Sequence, residues 1–213
     1  MPILVGVRGL IARLAVGAFG LFVLAGCAAF PGRQLPVVAY DQLASDEPRP
    51  SIDYDVKFFT ALQPDPSGVY FFNREIVNVF GRSRAFSTFA VGTGTARYHL
   101  TLMLRDETDL ALGALGGFLS AVTAGLIPAR VTDTLTLQID VRDGRRVIRH
   151  YAYKDAGRTW IGLFLIVLAP THWPPAVARG IVDNMLLNFL HDLQRDRILA
   201  APSIDTGGAG GSG

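Results

Sequence analysis

Thr134-Leu135-Thr136-Leu137-Gln138-Ile139-Asp140-Val141-Arg142-Asp143-Gly144 is the stretch on which the fold turns. Leu135, Leu137, Ile139 and Val141 alternate with Thr134, Thr136, Gln138 and Asp140. That is the period of a strand with one face in a core and the other in water. Asp143-Gly144 is a strong two-residue hairpin signal, so 145–154 is expected to return as the partner strand. With the turn at those two residues, Gln138 would face Arg149 and Leu137 would face His150. His150 would then lie on the core side, as a hydrogen-bonded packing residue rather than a catalyst.

Outward from the hairpin, other elements follow from periodicity. Tyr54, Val56 and Phe58 alternate with Asp55 and Lys57, which predicts a strand. A helix is expected from Ser67, with Val69, Phe72, Ile76, Val79 and Phe80 on one face and Gly81 at the place of a C-terminal glycine cap. Two strands, 86–91 and 98–104, are expected to be joined by a turn through Gly92 and Gly94. Pro174-Pro175 start a last helix, with Val177, Ile181, Met185, Phe189 and Leu193 on its stripe. The order strand, helix, two strands, apolar insert, hairpin, helix predicts an α+β fold. Its sheet is mixed but mostly antiparallel, with two main helices on one face.

The insert is the unusual element. Leu110 to Ile127 carries no charge, can be capped by Thr108 or Asp109, and ends at Pro128. Gly113, Gly117, Ala121 and Gly125 recur every four residues. On a helix that spacing makes one flat face where another backbone can come close. Burial within the monomer, self-association or partner contact, and membrane insertion are all open for it. A second uncharged run, 161–169, is bracketed by Trp160 and Trp173. In an antiparallel order both runs leave the same end of the sheet, where they form either an exposed apolar patch or a private core. Trp at both flanks suits an interface.

The amino terminus says where the chain goes. An apolar stretch with Arg8 and Arg13 near its start ends in Leu24-Ala25-Gly26-Cys27. This is the layout of an export signal with small residues before the cut. The run resembles a bacterial lipobox. The resemblance implies cleavage between Gly26 and Cys27 and acylation of the Cys27 thiol. With Ala28 rather than Asp next, it also implies sorting to the outer membrane of a two-membrane host. Several acyl chains would give firm anchoring where one would not. The expected organisation is a signal peptide over 1–26, an acylated Cys27 with a Pro-rich flexible tether over 27–50, a periplasmic domain over 51–199 and a disordered Gly-rich tail over 200–213.

Composition excludes several functions. The whole chain carries 20 basic and 18 acidic residues, and removing Arg8 and Arg13 with the signal leaves these balanced. A neutral domain with no basic stripe does not suit nucleic acid. A single cysteine rules out an intramolecular disulfide and a Cys-based metal site. His99, His150, His172 and His191 lack metal-ligand spacing. There is no nucleophile elbow, and Gly92-Thr93-Gly94 leads into a strand and lacks a third glycine. No catalytic residue, metal or cofactor is therefore expected.

Tyr98-His99-Leu100-Thr101-Leu102, the 134–141 alternation, Asp143-Gly144 and Asn184-Met185-Leu186 together carry a wider resemblance. Over roughly 53–198 the chain resembles small envelope lipoproteins related to the TolB amino-terminal domain and the curli secretion-channel lipoprotein. That resemblance implies a non-enzymatic accessory or assembly module of an envelope complex. The implied partners are the membrane through its anchor and either an envelope protein or further copies of the chain. The alternative is a periplasmic module that holds a lipid or other apolar ligand between the insert and the sheet.

Overall fold

The computed structural model describes residues 26–43, 49–92, 94–108, 110–123, 125–168 and 170–199. The expected signal peptide up to Ala25, the tail 200–213 and the side chains of 110–113 and 166 lie outside the described part. The strands are β1 (Gly26–Pro31), β2 (Ser51–Thr60), β3 (Gln63–Pro64), β4 (Thr88–Val91), β5 (Tyr98–Thr108), β6 (Ala129–Asp143) and β7 (Arg146–Gly162). The α-helices are α1 (Pro66–Ser83), α2 (Leu110–Val122) and α3 (Pro174–Arg195), with short 3-10 helices at Tyr40–Leu43 and Leu163–Val167. The sheet order is β1-β7-β6-β5-β2-β3, with β4 also on β2. β2 runs parallel to β4 and β5, and the other pairs are antiparallel. This is the α+β fold with a mostly antiparallel sheet that the sequence predicts.

Paired residues of neighbouring strands share a face. One face carries Ile52, Tyr54, Leu100, Leu102, Leu104, Leu137, Ile139 and Val141, all buried. α1 brings Phe72, Ile76 and Phe80, and α3 brings Met185 and Phe189, into that same core. Asp65 caps α1, its carboxylate accepting from the N–H groups of Ser67 and Gly68. α3 is fastened to β7 by phenols: the Tyr153 hydroxyl donates to Asp192 at 2.8 Å and that of Tyr151 to Asp196 at 3.1 Å. Burial and then the Asp196 carboxylate push Tyr151 up to about 12. Tyr153 is raised for the same reasons, with Asp192 as its carboxylate.

Four expectations are corrected. First, residues 26–43 are not a loose tether. 26–31 is the edge strand, and Pro36 and Val38 are tied to α3, their backbone groups bonded to Asn184 and Asn188. Leu43 is buried in the core. Second, α1 runs past Gly81 to Ser83, and the left-handed cap is Arg84 with φ 52°. Third, the strand expected over 86–91 begins only at Thr88, and it and β5 lie on opposite sides of β2.

The fourth correction is the hairpin register. The turn is Gly144-Arg145, because Asp143 pairs with Arg146. A bulge between Val141 and Arg142 then inserts one extra β7 residue. Side chains alternate with period two, so that residue flips everything beyond it. His150 therefore opposes Asp140 on the open face, not Leu137 on the core face.

Candidate functional site

Four strand ends meet where β1 begins. Gly26 pairs with Gly162, and Cys27 with Ile161, which on its other side pairs with Ala129. β5 leaves this end into α2, and β6 enters from the loop after it. The Ala29 N–H donates to the His172 carbonyl at 2.8 Å, so 170–173 covers part of the β1 edge. Cys27 is free and partly exposed. Between α2 and β6, the Thr123 hydroxyl donates to the Leu119 carbonyl at 2.9 Å and accepts from the Ile127 N–H at 3.1 Å. The Gly125 N–H donates to the Ser120 carbonyl at 2.7 Å, and the Leu163 N–H donates to the Gly125 carbonyl at 3.0 Å.

The four-residue stripe is only partly a helix face. Gly117 and Ala121 lie on α2, and nothing approaches within 4 Å of a Cβ placed on Gly117. Gly113 is in α2, but its surroundings lie outside the described part. Gly125 is beyond the helix, in a left-handed turn with φ 79°, and a Cβ there would meet the Leu163 nitrogen at 3.0 Å. It is glycine for the turn rather than for a helix contact. Gly116, which the spacing passed over, is the residue that faces the body, with Ala129 3.6 Å from its Cβ position. Trp160 is half-buried on the open sheet face beside Arg130, whose guanidinium lies 5.8 Å from the ring centre. Trp173 is exposed at the start of α3.

Around these residues the surface is apolar. Phe118, Val122, Leu126, Phe164, Val167 and Trp173 are each more than half exposed. No Asp, Glu, Lys or Arg occurs in 110–129 or in 159–173. No helix among the described residues is long and apolar enough to cross a membrane.

The open face of the sheet is polar. Asp55, Thr101, Asp140 and His150 form one row across β2, β5, β6 and β7. His99 lies 3.1 Å from Asp55, and His150 contacts Asp140. Each histidine is tied to its own carboxylate on a surface exposed to water. Among the described residues no group of three or more His, Cys, Asp or Glu could hold a metal ion.

Two acidic clusters escaped the sequence, because their members are far apart in the chain and ordinary in spacing. Between α1 and α3, buried Glu75 accepts through Oε1 from Arg74 at 2.9 Å and Arg179 at 3.2 Å, while Oε2 has no partner. Burial and then the Glu75 charge push Asp183 up to about 6, against the opposing pull of Arg179 and Arg82. Burial, with the Asp133 charge adding to it, likewise raises Asp106. Asp106 and Asp133 line a cleft of about 220 Å³ with Leu135, Pro174 and Ile181. A second cleft of about 240 Å³ lies beside Leu35, Val37, Val177 and Gly180. Neither includes a residue of α2.

No protein family matches this sequence, and no curated protein does. Among solved structures, a DUF330 protein from Xanthomonas campestris is similar with a TM-score of 0.40 and 12% identity, over 77% of this chain and 95% of that one. A lipoprotein candidate from Caulobacter crescentus gives 0.33 and 13%, over 67% of this chain and 91% of that one. The PelC dodecamer from Paraburkholderia phytofirmans gives 0.29 and 11%, over 64% of this chain and 81% of that one.

Proposed function

We propose that this chain is a lipid-anchored envelope protein that works without catalysis, as an accessory or assembly module. The observation that carries the reading is the setting of Cys27. The only cysteine, at the end of a lipobox-like run, stands in the first strand at the uncharged end of the domain. The sheet rises from there for about 45 Å along β6, at ~3.3 Å per residue. It offers a broad polar face on which copies of the chain or another envelope protein can assemble. In a two-membrane host, Ala28 after the cysteine favours the periplasmic side of the outer membrane.

Mass spectrometry of the amino terminus tests the anchor. An acylated Cys27 as first residue is expected, and Cys27→Ala should leave the protein unprocessed and unacylated. Crosslinking in the native envelope tests the assembly role, with either self-crosslinks or one recurrent partner expected. A monomer with neither counts against it. The second reading, a module for an apolar ligand, draws on the two mostly apolar clefts that flank α3. A lipid of fixed mass released from the purified protein would put that reading ahead.

A further inference from the structure

We propose that the uncharged end of the domain rests on a lipid bilayer. Phe118, Val122, Phe164, Val167 and Trp173 would lie at the boundary between head groups and acyl chains. The inference rests on the anchoring proposed above and adds a docking surface and an orientation to it.

Its ground is the lack of slack in the chain. β1 begins at Gly26 and Cys27 is already paired with Ile161, so no linker separates the acylated residue from the folded sheet. Acyl chains on the thiol hold the Cys27 side chain at the bilayer boundary. The neighbouring elements have to meet that boundary with it. These are the 3-10 helix Leu163–Val167, which packs on β1, and the turn before β6, where Pro128 approaches Gly162.

These neighbours are apolar. Charged residues there would lose hydration at the membrane, whereas exposed Phe, Val and Leu gain by leaving water. Trp173 at the rim suits the head-group level. The opposite end, around the Gly144-Arg145 turn, carries Arg97, Arg142, Asp143, Arg145 and Arg146 and is suited to water. A second copy seated on the patch would have to lift it off the membrane, and the paired β1 leaves no chain for that. α2 is shorter than a membrane span, so the patch lies on the bilayer rather than through it.

The test uses the full chain isolated from membranes and placed in phosphatidylethanolamine–phosphatidylglycerol vesicles that contain acyl-brominated phosphatidylcholine. Trp160→Phe leaves Trp173 as the sole reporter. A second protein, with Trp160→Phe, Trp173→Phe and Val147→Trp, reports the hairpin end. Matched melting curves show that both are folded.

Brominated lipid should quench Trp173 at least twofold and leave the Val147→Trp reporter unchanged, and aqueous iodide should show the reverse. Trp173 open to iodide and untouched by bromine, with Cys27 acylated in the same sample, overturns the docking surface and leaves the anchor standing. Trp173 shielded from both, with crosslinks between copies through Phe118→Cys, also overturns it, because a second copy then covers the patch. An unmodified Cys27 sinks the anchoring reading. If Trp173 is nonetheless quenched by brominated lipid, the docking surface stands by itself.

Discussion

Leu102 and Phe118 are both large apolar residues, yet one is fully buried in β5 and the other is two-thirds exposed on α2. The same contrast holds for whole regions. In the body, apolar residues come every second position in strands or along one helix stripe, and the opposite positions are polar. At the Cys27 end, apolar residues run on without polar alternation, and Phe118, Val122, Phe164 and Val167 stay exposed. A periodic pattern describes a surface with an inside and an outside. A continuous uncharged pattern in a segment that is not enclosed describes a surface reserved for something other than water.

The largest expected effect tests the body. Leu102→Ala should cost about 2–5 kcal/mol in urea unfolding, from lost burial plus the cavity left behind. Phe118→Ala should stay within about 0.5 kcal/mol, since its ring already faces solvent. The contrast breaks if the two costs are alike, because α2 would then belong to the core.

The next effect lies within the small-residue stripe. Gly125→Ala should destabilise by about 1–3 kcal/mol, because alanine is strained at positive φ and its Cβ would crowd Leu163. Gly117→Ala should be neutral or stabilise by up to ~1 kcal/mol, since the site is open and alanine favours helix. Thermal melting distinguishes the two. Gly117→Leu should also leave the monomer folded, so any loss of oligomer in sedimentation velocity would report a contact between copies through α2. Unfolding of Gly117→Leu would instead mean that α2 packs inside.

What the residues disclosed and what they hid divide along the same line. β5, β6, α1 and α3 were legible because alternation and helical stripes report burial directly. β1 was not. Cys27-Ala28-Ala29-Phe30 has no alternation, and Pro31, Gly32 and Pro36 look like linker. Its strand character comes from pairing with β7, a long-range contact that no local pattern encodes. The lipobox-like run is legible in the chain, but not that its cysteine sits inside the fold. Gly125 keeps the four-residue spacing yet lies past the helix, because spacing cannot tell a helix position from the turn that follows it. The Glu75–Asp183 cluster was hidden because α1 and α3 come together only in the tertiary structure.

That cluster yields a pH prediction. Asp183 is raised to about 6, above its unfolded value, so the folded protein holds this proton more tightly than the unfolded chain. The resulting stabilisation is complete below about pH 4 and is lost as pH rises through about 6. Above that, an ionised Asp183 faces Glu75 at a cost. Asp183→Asn should remove this slope and gain on the order of 1–2 kcal/mol at pH 7.5, read from urea unfolding at pH 5 and 7.5. A variant less stable than the parent at pH 7.5 would show that the carboxylate is held by Arg179 and Arg82 rather than strained by Glu75.

The smallest expected effect reads the register of the hairpin. On a plain two-residue turn at Asp143-Gly144, His150 would face Leu137 and lie in the core, and its removal would leave a void. With the bulge after Val141, it instead faces solvent beside Asp140, more than half exposed. An exposed His–Asp pair contributes little, because water competes for both groups and salt screens them. His150→Ala should therefore shift stability by no more than about 0.5 kcal/mol, with Asp140→Asn alike. A loss several times larger for His150→Ala alone would mean that the ring is packed. The bulge would then be absent, and the polar row across the open face would have to be redrawn one residue out of step.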